Sequence, residues 1–319
     1  MDAQQLEALV EAVVRELKAA GMAGGVPPAA PVAQPPPAQP PPAASVRPPA
    51  APVERPGAAL RIDLPDPTGS QTRGAPGVRS PSDPEGLQAL MDTTPARNGV
   101  GRAGSRARTR SLLLFQSDLA VTQDALFREV APALLDEFHL FSVCTRVTGG
   151  KQEYLLRPDL GRALSDEARR VLVEKCVQSP NVQVCVGDGL SATAIEANLR
   201  KIFPVLQEGC RSAGLSWGTP FFIQYCRVGV MNDIGDLLKP DVLILLIGER
   251  PGLGRAESMS AYMAYRPQSG HTDAEREVIC NIYDEGGTNP LEAGAYALQM
   301  ARKMIQRQAS GVRLKMMEG

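Results

Sequence analysis

Histidine is almost missing from this chain, with His139 and His271 the two examples in 319 residues. The six cysteines (Cys144, Cys176, Cys185, Cys210, Cys226 and Cys280) are scattered and form no C-x-x-C pair. That inventory argues against a structural zinc site and a Cys–His nucleophile, so no metal ligands are assigned and buried free thiols are expected. Aromatics make up 4% of the chain, with Trp217 the single tryptophan. Stacking platforms for single-stranded nucleic acid need more. Lys and Arg (34) nearly cancel Asp and Glu (35), so no global field favours nucleic acid or an anionic membrane. No apolar run approaches the roughly 20 residues that cross a bilayer, and no basic start with an apolar core marks a secretory signal. A cytosolic protein is expected, with no nucleic-acid and no membrane partner.

Proline, by contrast, is concentrated. From Pro27 to Pro56, 13 of 30 residues are proline, interleaved with alanine. Such a stretch is neither helix nor central strand, but an extended spacer with a reach on the order of 90 Å. Before it, Leu6, Leu9, Val10, Val13, Val14 and Leu17 form one apolar stripe at helical spacing, ended by Gly21, Gly24 and Gly25. An apolar stripe held away from the body has no core of its own to cover, so it is meant for another surface. The chain therefore divides into an isolated amphipathic helix (1–22) and a Pro-rich disordered linker (23–96). A mainly helical region (97–178) and a Rossmann-like α/β domain (179–319) follow.

The helical region opens with Arg97, Arg102, Arg106, Arg108 and Arg110 in a Gly/Ala/Ser background. This cluster suits either a solvated, ion-paired face or a clamp for a carboxylate, phosphate or partner subunit. The next segment reads as helix, with Leu112, Leu113, Phe115, Leu119, Leu126 and Phe127 as core candidates. A hairpin-like segment is expected over Phe141–Val147, Thr148-Gly149-Gly150 and Tyr154–Leu156. Beyond it strands at 182–186, 221–224 and 242–247 alternate with helices near 165–178, 192–213 and 232–238. Further strands near 262–265 and 278–283 and a final helix over 290–308 complete the pattern. The fold class is α/β, a doubly wound, mainly parallel sheet.

Two glycine-rich turns are candidate sites. Val242–Ile247, an apolar run suited to a strand covered on both faces, ends in Gly248-Glu249-Arg250-Pro251-Gly252-Leu253-Gly254. Ligands settle at the carboxyl ends of such strands, glycine permits close backbone approach, and Glu249 can accept a hydrogen bond. The second turn, Gly187-Asp188-Gly189-Leu190-Ser191, enters a helix that Asp188 or Ser191 can cap. Neither is a dinucleotide fingerprint or a phosphate loop, since Ala192 stands at the third glycine position and no lysine and hydroxyl follow Gly254. Ser258 and Ser260 have no local histidine, Glu249 and Glu257 carry no mark of desolvation, and no catalytic residues are assigned.

Taken together, six segments resemble the small (light) subunit of ethanolamine ammonia-lyase. They are G-R-A-G-S-R-A-R-T-R (101–110), R-P-D-L-G-R (157–162), V-G-D-G-L-S-A-T-A-I (186–195), G-T-P-F-F-I-Q-Y-C-R-V (218–228), L-L-I-G-E-R-P-G-L-G (245–254) and N-I-Y-D-E-G-G-T-N-P (281–290). The resemblance spans about residues 97–311. It implies a subunit of an adenosylcobalamin-dependent lyase that converts ethanolamine to acetaldehyde and ammonia by radical chemistry. The large subunit, a TIM-type barrel, would carry the substrate site, and the small subunit would contribute corrin contacts within a higher hetero-oligomer. Carried across residue by residue, those contacts fall on Val228, Glu249 and Val278. At the third position the family's run begins with cysteine, whereas here V-I-C-N-I begins with Val278 and its thiol, Cys280, comes two residues later. The departure leaves a backbone or van der Waals contact open. Glu137 and Ser269 stand where a cobalt-ligating D-x-H-x-x-G motif needs aspartate, so no cobalt ligand is expected. The resemblance also implies localisation to a bacterial microcompartment, with the N-terminal helix docking on shell or cargo. A stand-alone Rossmann-like nucleotide-binding enzyme and a tethered structural scaffold are the alternatives.

Overall fold

The computed structural model of the chain describes residues 74–94, 97–284 and 286–317. The stripe of residues 1–22 and the proline-rich stretch lie outside these residues. Among the described residues the first complete element is α1 (Pro84–Asp92), which differs from the irregular arm that composition predicts. Its start is well specified: the Asp83 side chain caps the Gly86 N–H, Pro84 occupies the first turn, and Glu85 complements the helix dipole. A two-stranded ribbon of β1 (Arg102–Ala103) and β2 (Arg106–Ala107) then leads into α2 (Thr109–Phe127).

In chain order the body continues with α3 (Pro132–Glu137), β3 (Phe141–Cys144), α4 (Gly150–Leu156) and α5 (Asp166–Lys175). It proceeds through β4 (Val182–Gly187), α6 (Ala192–Ser212), β5 (Phe221–Gln224), α7 (Val230–Leu238) and β6 (Val242–Gly248). It finishes with β7 (Met259–Tyr265), β8 (Arg276–Ile282), α8 (Pro290–Arg307) and α9 (Gly311–Met316). The six strands from β3 onward form one sheet in the order β3-β5-β4-β6-β7-β8. The pairs β3–β5, β5–β4 and β4–β6 are parallel; β7 alone reverses direction, so β6–β7 and β7–β8 are antiparallel. The sheet is mixed and mainly parallel.

Every residue of β4 and of β6 is buried. The reason is visible in the two apolar clusters. Val182, Val184, Val186, Ile244 and Leu246 pack with Ile195, Leu199, Ile202 and Leu206 of α6 and Ala297, Ala301 and Met304 of α8. On the opposite face Cys185, Leu243, Leu245 and Ile247 pack with Leu172 of α5 and Met231, Ile234 and Leu238 of α7. Strands covered on both sides need apolar residues at consecutive positions, which is why β6 shows no alternation. Each large side chain so buried contributes about 1.5–3 kcal/mol.

Two expectations are overturned. The segment 141–156 is no hairpin: β3 pairs in parallel with β5, some 80 positions away, and Gly150–Leu156 is helical. At Thr148-Gly149-Gly150 the Glu153 carboxylate accepts the Thr148 and Gly149 N–H groups (2.8 and 2.6 Å), so the segment opens a helix instead of returning a strand. The α2 helix is present, but its core candidates are not core. Leu112, Leu113, Phe115, Leu119 and Phe127 are exposed, Leu126 is half-buried, and Asp118 and Ala125 are its buried residues. Periodicity predicted an apolar face without saying whose surface covers it. Of the arginine cluster, Arg97 pairs with the buried Asp118 and Arg108 is half-buried, donating to Arg102 O (3.0 Å), whereas Arg102, Arg106 and Arg110 stay exposed.

Candidate functional site

Three turns leave the carboxyl ends of the parallel strands β4, β5 and β6 and meet there. After β4, Ser191 caps α6 by accepting the Ala194 N–H (3.3 Å) and donates its own hydroxyl to Ala256 O (2.5 Å). The cap of one helix thereby fixes the loop that follows β6. Gly189 (φ +55°) lies against Ile247 and Gly248, and the Leu190 N–H donates to Gly248 O (3.1 Å). Ser191, Ala192 and Ala194 are fully buried, so this helix start is packed against protein and closed to a phosphate. That geometry counts against the nucleotide-binding reading.

After β6, Glu249 is held on three sides. Its Oε2 accepts from Ser258 Oγ (2.7 Å), and its Oε1 accepts from the Asn281 N–H (2.9 Å) and from Ser260 Oγ. The Glu249 N–H donates to Ser258 O (3.0 Å). Asn281 can reach because β8 has a register shift opposite Met259–Ala261 and Asn281 is left-handed (φ +55°), which turns its N–H toward the β6 loop. Both serines thus serve the carboxylate, and no histidine joins them. Among the described residues no group of three or more His, Cys, Asp or Glu side chains is placed to hold a metal.

After β5, Tyr225-Cys226-Arg227-Val228-Gly229 turns into α7. Val228 is half-buried and packs on the same apolar cluster as Tyr262 of β7. Tyr262 is the cross-strand partner of Val278, which is 43% exposed on β8. Strand alternation puts Val278 and Tyr262 on the sheet face that α5 and α7 cover elsewhere. The structure therefore gives Val228, Tyr262 and Val278 one face, with Glu249 joined to the same strand through Asn281. Burial raises the Tyr262 phenol above its ordinary value, so it remains protonated. Cys280, also on β8, is the one exposed cysteine.

Sequence reasoning missed the support beneath this face. Asp188 is 4% exposed and caps nothing. It accepts the Tyr225 and Cys226 N–H groups (3.0 and 2.8 Å) and pairs with Lys151 Nζ at 3.4 Å. Burial pushes its carboxyl upward, with Lys151 and the two amides pulling it back. Lys151 stands 37 positions earlier, so no local motif exposes the pairing.

The class of protein is thus an α/β chain with a mainly parallel sheet, an apolar patch on one face and a braced carboxylate after β6, at the strand end where ligands of such sheets settle. The particular family is set by comparison. The sequence model described as ethanolamine ammonia-lyase light chain matches residues 84–315. The ethanolamine ammonia-lyase small subunits of Clostridium perfringens and of Listeria monocytogenes (serovar 1/2a) are each 44% identical over 238 residues, covering 75% of this chain and 80% of theirs. That of Clostridioides difficile is 43% identical over the same length and coverage. The chain belongs to the ethanolamine ammonia-lyase light-chain family, a family of enzyme subunits.

Proposed function

We propose that this chain is the coenzyme-enclosing small subunit of an adenosylcobalamin-dependent ethanolamine ammonia-lyase, whose large subunit carries the substrate site. The observation that carries the reading is the joint presence of Val228, Tyr262 and Val278 on one sheet face beside Glu249. A corrin is a broad apolar ring rimmed by amide side chains, and the site has matching parts. A carboxylate offers about four lone-pair positions. Glu249 uses three within its own chain, leaving one for a ring-edge amide donor. Val228 and Val278 supply van der Waals contact, so the missing thiol at 278 is no obstacle. Bound adenosylcobalamin supplies the radical chemistry, and this chain supplies enclosure and orientation.

The same reading treats the body as a doubly wound scaffold, with residues 97–178 as the subunit-contact region and 179–319 as the cofactor-enclosing domain. The exposed apolar side chains of α2, together with the exposed Arg102, Arg106 and Arg110 at and before its start, face the large subunit in a higher hetero-oligomer. Residues 1–22, on the proline-rich linker, direct the assembly to a microcompartment by docking on shell or cargo. No helix among the described residues is long and apolar enough to cross a membrane.

The test is reconstitution. The chain alone shows no turnover, and activity requires both a large subunit and adenosylcobalamin. Glu249→Gln weakens coenzyme binding by about 1–3 kcal/mol, because its new N–H₂ confronts donors where an acceptor is needed. Turnover by the isolated chain, or unchanged coenzyme affinity in the variant, removes the proposal.

A further inference from the structure

The turn that carries Val228 has little freedom of its own, because its backbone polar groups are held from outside. Asp188 takes the Tyr225 and Cys226 N–H groups. The Tyr154 hydroxyl, on a ring with no exposure, donates to Cys226 O at 2.7 Å. Thr145 Oγ1 donates to Tyr225 O (3.1 Å), and the Arg227 N–H donates to Gly161 O (2.8 Å). Tyr225 itself sits at φ +58°, a conformation that a tyrosine adopts at a cost and keeps only where its surroundings enforce it.

The enforcing parts form one stack. Lys151 Nζ lies 4.9 Å from the centre of the Tyr154 ring, and the Arg227 guanidinium lies 4.3 Å from it. Lys151 also donates to Gly189 O at 3.2 Å, and its side chain is 10% exposed. A buried ion pair contributes little net stability, since desolvating both charges offsets their attraction. What such a pair does supply is a single geometry, because each buried charge has one satisfactory arrangement. Here that geometry is the conformation of residues 225–228.

We infer that Tyr154 and Asp188, with Lys151 as counter-ion, are positioning residues that set the Val228 turn for the coenzyme, although none of them reaches the ligand face. This inference rests on the proposed coenzyme site and deepens it. The ion pair fixes the amide side of the turn and the phenol fixes its carbonyl side, and both must hold for Val228 to meet a rigid ring.

The experiment uses the reconstituted two-chain complex and measures adenosylcobalamin binding by equilibrium dialysis with absorbance detection, alongside ethanolamine KM and the thermal midpoint. Tyr154→Phe removes one hydroxyl from a filled site and should raise the coenzyme Kd by about 3- to 10-fold with ethanolamine KM unchanged. Asp188→Asn should raise it further; should that variant fail to fold, Tyr154→Phe decides. Glu249→Ala serves as the direct-contact reference. A lowered thermal midpoint with unchanged coenzyme Kd in Tyr154→Phe overturns the positioning role. If Glu249→Ala weakens binding in the same series, the coenzyme site itself survives that result. If Glu249→Ala also leaves binding unchanged, the coenzyme site falls with it.

Discussion

The hydroxyl of Thr122, in the middle of α2, donates to the carbonyl oxygen of Gly252 across 2.8 Å. The helix with the uncovered apolar side is thereby tied to the loop that starts at Glu249. Further along, the same loop is held from the α6 side by the Ser191–Ala256 bond.

Thr122→Val keeps the shape and removes the tie. Its effect on global stability should be modest, about 0.5–1.5 kcal/mol. Amide hydrogen exchange should accelerate over 250–255 while the centre of β6 stays protected. Equal protection of that loop in both proteins would mean that the Thr122 bond does not restrain it.

Leu113 and Phe127 are 55% and 58% exposed. Replacing both with Glu removes no core contact, so the isolated chain should keep its urea midpoint within about 0.5 kcal/mol. Assembly with the large subunit should be lost, because each fully covered side chain of this size contributes about 1.5–3 kcal/mol of burial. Light scattering of the mixture reads the result, and an intact complex places the interface elsewhere.

The cysteines give a chemical test of the proposed ligand face. Cys176, Cys185, Cys210 and Cys226 are buried and Cys144 is half-buried. Burial pushes the Cys176 and Cys210 thiols up to about 11, so little thiolate is present near neutrality. A disulfide reagent at neutral pH should therefore modify Cys280 quickly and the others slowly. Adding large subunit and adenosylcobalamin together should slow the Cys280 reaction. A rate unaffected by both would put Cys280 and its strand outside the enclosed region.

Asp188 predicts a pH dependence with a definite sign. Its carboxyl is raised in the folded chain by burial, against the pull of Lys151 and two amides. The folded state then holds this proton more tightly than the unfolded state, whose carboxylate pKa is about 3.9. The contribution to stability is complete below that value and is lost as pH rises through the raised folded value. Asp188→Asn cannot titrate, so acidification across this window should favour wild type relative to the variant in urea midpoints. The opposite trend would show that the Lys151 attraction outweighs burial.

Much of the scaffold is legible in the sequence because its signals are local. The β6 run, the Ser191 cap and the Gly-rich ends of β4 and β6 each declare themselves within a few residues. What stays hidden depends on partners far along the chain. The pairing of β3 with β5, the reversal of β7 and the Lys151–Asp188 bridge have no neighbouring pattern to betray them. The α2 side chains mislead for a related reason, since apolar spacing is the same whether a helix faces its own core or another polypeptide. Glu249 stands out by its glycine-rich setting and Ser258 and Ser260 lie close in sequence, whereas Asn281 reaches the carboxylate only through the β8 shift.

That bracing of Glu249 bears on the speed and cost of capture. A loop already fastened by Ser258, Ser260 and Asn281 has few conformations left to surrender when a guest arrives. The entropic penalty of ordering is met during folding, so under the proposed coenzyme reading a rigid macrocycle would meet a surface already set.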